Sequence, residues 1–165
     1  MLIVKDTMVL IHLAHTGTLE AACKSFRKVV IPEQVYQEVN AGKDSHGEDV
    51  GAVDQMVQSG AITISKARKE LIAKANAFNI QRGEAEAVAL YWQEEADLLA
   101  TDDDNVRRKK DALRIKTIGT PAILIRMIRD GAVDRETYLN AVRHLRKTGW
   151  FSSIVYDTMM AEVKE

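Results

Sequence analysis

Apolar positions change period along this chain, and the changes mark its elements. Leu2–Lys5 is a short apolar run that reads as a strand ending at Asp6. Over residues 7–14, Val9, Leu10 and Leu13 return on one side, which is helical spacing. Val29, Val30 and Ile31 are a β-branched run and a second strand. Pro32 stands where a first helical residue would, and the helix it opens closes near Gly42. Residues 43–51, rich in Gly, Asp and His, read as a mobile loop, and residues 61–65 alternate too briefly to separate a short strand from a loop. Gly83 breaks the chain before a helix whose Ala85, Val88, Ala89 and Trp92 share a face. Leu98, Leu99 and Ala100 make a buried strand that stops at Thr101. Residues 115–118 make another, closed by Thr120 as cap and Pro121 as the opening of the next helix.

Beyond Arg129 the strands cease. The remainder reads as helices bounded by Gly131, with Asp134 as the next cap, and by Gly149, with Ser152 or Ser153 as the last cap. Alternation of strand and helix followed by helices alone predicts an α/β fold: a parallel sheet of about four or five strands covered by helices, with a helical C-terminal extension over about residues 131–165. The 165 residues, without repeats or linkers, suit a single domain.

Composition narrows the function classes. A hydrophobic fraction of 46% supports a real core, yet no run of about 18 apolar residues predicts a membrane span. The N-terminal apolar stretch carries Lys5, Asp6 and His12 and lacks a small-residue cleavage site, unlike a signal peptide. Cys23 is the only cysteine, which excludes an internal disulfide and suits a reducing cytoplasm. A net charge of −1 argues against a simple nucleic-acid coat, but the charge is uneven. An acidic stretch with Glu94, Glu95, Asp97, Asp102, Asp103 and Asp104 is followed by Arg107, Arg108, Lys109, Lys110, Arg114 and Lys116. Such neighbours suit metal and phosphate respectively, or a solvated helix.

Ligands of an open parallel sheet gather beyond the carboxyl ends of its strands. Asp6 directly follows the first strand, and Asp102 and Asp103 directly follow Thr101. Glu38 lies about two turns into the helix after the second strand, and Glu84 opens the helix behind Gly83. Acids brought to one edge repel each other, and hard cations such as Mg²⁺ or Mn²⁺ relieve that repulsion. Each also has a plain role: Asp6 as a helix cap, Glu38 on a solvated face, Glu84 at a helix dipole, one Asp of the 102–104 run as a cap.

Four segments carry a resemblance. Val4-Lys5-Asp6-Thr7-Met8-Val9-Leu10-Ile11 resembles the first motif of PIN-domain nucleases, and Ile31-Pro32-Glu33-Gln34-Val35-Tyr36-Gln37-Glu38-Val39 the second. Gly83-Glu84-Ala85-Glu86-Ala87 is similar to the third, and Thr101-Asp102-Asp103 through Arg107 to the fourth. The segment from Gly119-Thr120-Pro121 to Gly131-Ala132-Val133 fits a stand-alone, VapC-like branch with extra C-terminal helices. The resemblance implies a metal-dependent endoribonuclease using Mg²⁺ or Mn²⁺. Asp6, Glu38, Glu84 and Asp103 would be its catalytic and metal-binding acids, with Asp102 a metal-binding partner to Asp103. Arg107, Arg108, Lys109 and Lys110 would attract RNA phosphates. It also implies a homodimer and, in many members, a small antitoxin partner. Two departures stand out: Met8 replaces a small polar residue, and Lys5 an apolar one. Both favour the alternative of a non-catalytic PIN-like protein that binds RNA or a partner.

Other residues promise less. His12 and His15, spaced i, i+3, lack a third ligand and read as a surface pair, and His46 and His144 are isolated. Cys23 reads as a small apolar filler. Tyr91, Trp92, Trp150 and Phe151 read as core or helix-junction packing rather than base-stacking platforms. Met159 and Met160, with Tyr156 and Val163, form an apolar face that packs internally or against a second subunit. An aspartyl phosphotransferase on the same sheet would need a lysine at the acidic edge, and the sequence does not single one out.

Overall fold

The computed structural model describes residues 1–45 and 47–164; the isolated His46 lies outside them. Five strands, β1 (Leu2–Lys5), β2 (Lys28–Pro32), β3 (Ile62–Ser65), β4 (Leu98–Ala100) and β5 (Thr117–Ile118), form one parallel sheet in the order β3-β2-β1-β4-β5. Residues 61–65 therefore supply an edge strand. The central pairing sets Ile3 against Val29 on one side of β1 and against Leu98 on the other. Each crossover is built from two helices: α1 (Thr7–His15) and α2 (Leu19–Ser25), α3 (Glu33–Ala41) and α4 (Gly47–Gln58), α5 (Lys69–Asn76) and α6 (Arg82–Gln93), then α7 (Asp104–Arg108) and α8 (Lys110–Leu113). After β5 come α9 (Thr120–Arg129), α10 (Arg135–Thr148) and α11 (Ser153–Ala161).

Alternation along the strands divides the core in two. Ile3, Val29, Ile31 and Ala100 face α1–α4 and α9–α11, whereas Val4, Val30 and Leu99 face α5–α8. Tyr156, Met159 and Val163 of the C-terminal segment are buried in the first of these cores, so that apolar face packs internally.

Three expectations change. Most of the stretch 43–51 is not loop, because α4 begins at Gly47: Glu48 and Asp49 stand in its first turn, where acids favour the helix dipole, and Val50 and Val53 are buried. Gly83 lies inside α6 rather than breaking the chain before it. Gly119, not Thr120, caps α9, which frees the Thr120 hydroxyl for another bond.

Candidate acidic site at the switch point of the sheet

Chain order reverses between β1 and β4, and the crevice beyond their carboxyl ends is where ligands of such sheets bind. Asp6 leaves β1 at this point, its amide donating to the Ala100 carbonyl at 3.0 Å. It is buried, and Oδ1 accepts from Val9 N at 3.0 Å, so it caps α1. The cap uses one carboxylate oxygen. Burial pushes the Asp6 pKa up to about 7; the charges of Asp102 and Glu84 push the same way, while bonds from Thr101 and Val9 oppose them.

Asp103 repeats this arrangement at the exit of β4. Its Oδ1 accepts from Val106 N at 2.8 Å, capping α7, and its amide donates to Thr101 Oγ1 at 3.1 Å. Thr101 thus touches both acids. Glu84, half-buried in the first turn of α6, has its pKa raised by burial and then by the charges of Asp103 and Glu38. Glu38 on α3 is held from two sides: Thr7 Oγ1 donates to Oε2 at 2.6 Å and Gln34 Nε2 to Oε1 at 3.3 Å. Gly83 makes room for the Glu38 carboxylate at this edge: a Cβ there would stand 2.8 Å from both of its oxygens and would displace it.

Asp6, Glu38, Glu84 and Asp103 therefore lie within one another's electrostatic reach in a chain of pairs: Asp6 with Glu84, and Glu84 with Asp103 and Glu38. They do not form a closed cage. Among the described residues no three His, Cys, Asp or Glu side chains gather closely enough to hold a metal ion. The donor chemistry nonetheless fits a hard divalent cation, since the oxygens are carboxylate and two of the acids are driven toward protonation by burial and by neighbouring acids.

Asp102 stands apart. Its side chain is fully buried. Oδ1 accepts from Thr120 N at 2.7 Å, and Oδ2 meets Thr120 Oγ1 at 2.5 Å and His12 Nδ1 at 2.8 Å. His12 is accordingly buried and is no half of a surface pair; only His15 is exposed, its Nδ1 lying 3.5 Å from Asp49. Thr7, Gly83, Thr101, Thr120 and His12 are parts of the site that the sequence does not single out as such. The Asp-Thr pair and the glycine before Glu84 are the signals it offers for two of them.

The basic run divides as well. Arg107, Arg108 and Lys110, with Asp104 and Thr117, line an open depression, but Lys109 is half-buried and its Nζ donates to the Phe78 carbonyl at 2.7 Å. Lys5 points away from the acidic edge, into the core that holds Ile3. It is fully buried, without a hydrogen-bond partner among the described residues, and its Nζ lies 5.4 Å from the Phe26 ring centroid. Burial lowers its pKa to about 8. The lysine that an aspartyl phosphotransferase needs is therefore not supplied by Lys5.

No helix among the described residues is long and apolar enough to cross a membrane. No curated protein and no solved structure matches the chain. A family model described as DUF3368, PIN domain, matches residues 2–165, with all four acidic motifs inside that span. The chain belongs to the PIN-domain family, whose fold is that of a nuclease.

Proposed function

We propose that this protein is a metal-dependent endoribonuclease that hydrolyses RNA phosphodiesters with Mg²⁺ or Mn²⁺. One observation carries the reading: Asp6, a buried acid at the switch point, lies within electrostatic reach of Glu84, which in turn faces Asp103 and Glu38, so four carboxylates share one edge. A cation is the partner such a group lacks. Asp6, Asp103, Glu84 and Glu38 would hold the ion. When bound, it supplies Lewis acidity at the phosphate and acidifies a water nucleophile. The chain's own residues orient that chemistry. The α1 and α7 caps fix one oxygen each of Asp6 and Asp103, Thr101 bonds the Asp6 carboxylate, and Thr7 and Gln34 hold the Glu38 carboxylate. Arg107, Arg108 and Lys110 would draw in the RNA backbone. A toxin role with a small antitoxin partner, and a homodimer, are supported by the family resemblance alone.

A second reading, a PIN-like protein kept for binding RNA or a partner, has in its favour that no three ligands stand pre-gathered among the described residues. One variant separates the two. Asp6→Asn keeps the side-chain shape and the cap but removes a repelling charge. It is expected to fold as well as the parent or better in metal-free buffer, to lose Mn²⁺-dependent cleavage of single-stranded RNA, and to lose the rise in melting temperature that Mn²⁺ gives the parent. Equal cleavage and equal Mn²⁺ shifts in both proteins would sink the nuclease assignment.

A further inference from the structure

We infer that His12 is a positioning residue for the acidic site, held by the C-terminal extension and acting through Asp102. The inference rests on the nuclease reading above and assigns a role that the acidic motifs do not contain.

The geometry begins at the exit of β4. Thr101 and Asp103 turn to the acidic site, where Thr101 bonds both Asp6 and the Asp103 amide. Asp102, between them, sends its carboxylate the other way, into a pocket made by α1 and α9. There it meets three donors, and Gly119 packs so closely that a Cβ would stand 3.0 Å from Oδ1. Fully buried and with both oxygens engaged, Asp102 anchors the turn rather than reaching toward an ion. Opposite a carboxylate, the His12 Nδ1 carries the proton. His12 lies on α1, the helix whose cap is Asp6, so one rigid helix holds both acid-bearing strand exits: Asp6 at its start and Asp102 through His12.

The C-terminal extension closes over this bond. Between α10 and α11, Trp150 stands edge-on to the His12 ring and Phe151 lies tilted to it, each with a centroid separation of 5.5 Å. Trp150 is 49% exposed, so it forms a wall at the surface rather than part of the deep core. Groups that orient the residues around a metal typically change metal affinity or activity by about 10–100-fold when removed. A histidine used only for packing would change stability alone.

The test uses the full chain. Melting is followed in EDTA and across an Mn²⁺ series for the parent, His12→Ala, His12→Asn and Trp150→Ala, with kcat and KM for single-stranded RNA measured on each. His12→Ala is expected to raise the half-saturating Mn²⁺ concentration at least about tenfold and to lower kcat with little change in KM. Asn places an amide nitrogen where Nδ1 stood, so His12→Asn should recover most of the loss. Trp150→Ala should move the Mn²⁺ half-point in the same direction but less. A parent with no Mn²⁺ response overturns the metal-site reading and this inference with it. A responsive parent with unchanged Mn²⁺ dependence in His12→Ala overturns the inference alone. Should His12→Ala fail to fold, Trp150→Ala decides, and an Mn²⁺ half-point within about twofold of the parent's would overturn the inference, because removing a group that orients metal ligands ordinarily costs more.

Discussion

Lys5 and Asp6 leave the same strand one residue apart, carry opposite charges, and are both buried, yet their surroundings treat them differently. Lys5 enters the core beside Ile3, where its ammonium meets the face of Phe26 and, among the described residues, no hydrogen-bond partner. Asp6 meets the Val9 amide, the Thr101 side chain and the charges of other acids, at an edge where Glu84 and Asp103 are only half-buried. Both are pushed toward neutrality, Lys5 down to about 8 and Asp6 up to about 7. Only one of these penalties can be relieved from outside. A cation can reach a half-open edge of carboxylates, whereas nothing reaches an amine sealed beneath a sheet. That difference separates a site from a buried cost of sequence.

The two groups predict opposite slopes of stability against pH in metal-free buffer. The folded pKa of Asp6 lies above its ordinary 3.8, so the folded state holds a proton that the unfolded state has lost, and stability falls as pH rises from about 4 to 7. Its size is on the order of 4 kcal/mol, and Glu84 acts in the same direction. The folded pKa of Lys5 lies below its ordinary 10.5, so its penalty is complete below pH 8 and stability recovers as pH rises from about 8 towards 10. The metal-free protein is therefore expected to be least stable near pH 7–8. Urea denaturation across pH checks this, and Asp6→Asn should flatten the acidic limb.

Lys5→Met should remove the alkaline limb and leave the acidic one. Near pH 7 the variant should gain about 3 kcal/mol, the cost of holding a lysine whose pKa has fallen to about 8, and the gain should fade above pH 8. A gain that stays the same at pH 7 and pH 10 would mean that packing against Phe26, not charge, governs this position.

Within the acidic edge, Gly83 offers a finer probe. Gly83→Ala places a Cβ against the Glu38 oxygens, and the flexible carboxylate must leave its Thr7 and Gln34 donors. Alanine is favoured over glycine inside a helix by up to about 1 kcal/mol, which offsets part of the two hydrogen bonds lost, each worth about 1 kcal/mol. Stability in EDTA should therefore fall by only about 1 kcal/mol while cleavage at low Mn²⁺ falls on the order of tenfold. Unchanged cleavage would remove Glu38 from the site.

Much of this architecture is legible along the chain. The strands with clean β-branched or apolar runs and the caps Asp6 and Asp134 follow from local pattern, and the order of the acidic motifs from the resemblance to PIN-domain nucleases. What escapes depends on side chains that meet only after folding. By spacing alone His12 is half of an exposed pair, but Asp102 is 90 residues away in sequence and reaches it only because β4 lies beside β1. Thr120 reads as a cap because capping is local, whereas its hydroxyl bonds the buried Asp102, 18 residues away in sequence. Gly83 reads as a helix breaker because its neighbour Glu38 is invisible along the chain. Residues 43–51 read as loop because their polar composition hides an N-terminal turn whose buried side chains come only later, at Val50 and Val53.

The smallest expected effect concerns charge beside the edge rather than within it. Arg107, Arg108, Lys109 and Lys110 are equivalent by sequence, but they differ in what they touch. Three line an open depression, and Lys109 donates to the Phe78 carbonyl. Binding to single-stranded RNA is best followed in the Asp6→Asn background, where the strand is not cut. Replacing Arg107, Arg108 and Lys110 with Gln should weaken binding and lower the slope of log affinity against log salt by about 0.7 for each phosphate no longer neutralised, roughly 2 if all three engage. Lys109→Met should leave that slope alone and instead lower folding stability by about 1 kcal/mol, because the Phe78 carbonyl loses its donor. The contrast matters more than either value, since a uniform electrostatic attraction would make all four substitutions alike. If the triple variant keeps the parent's salt slope, the run is a solvated helix face and RNA reaches the acidic edge by another surface.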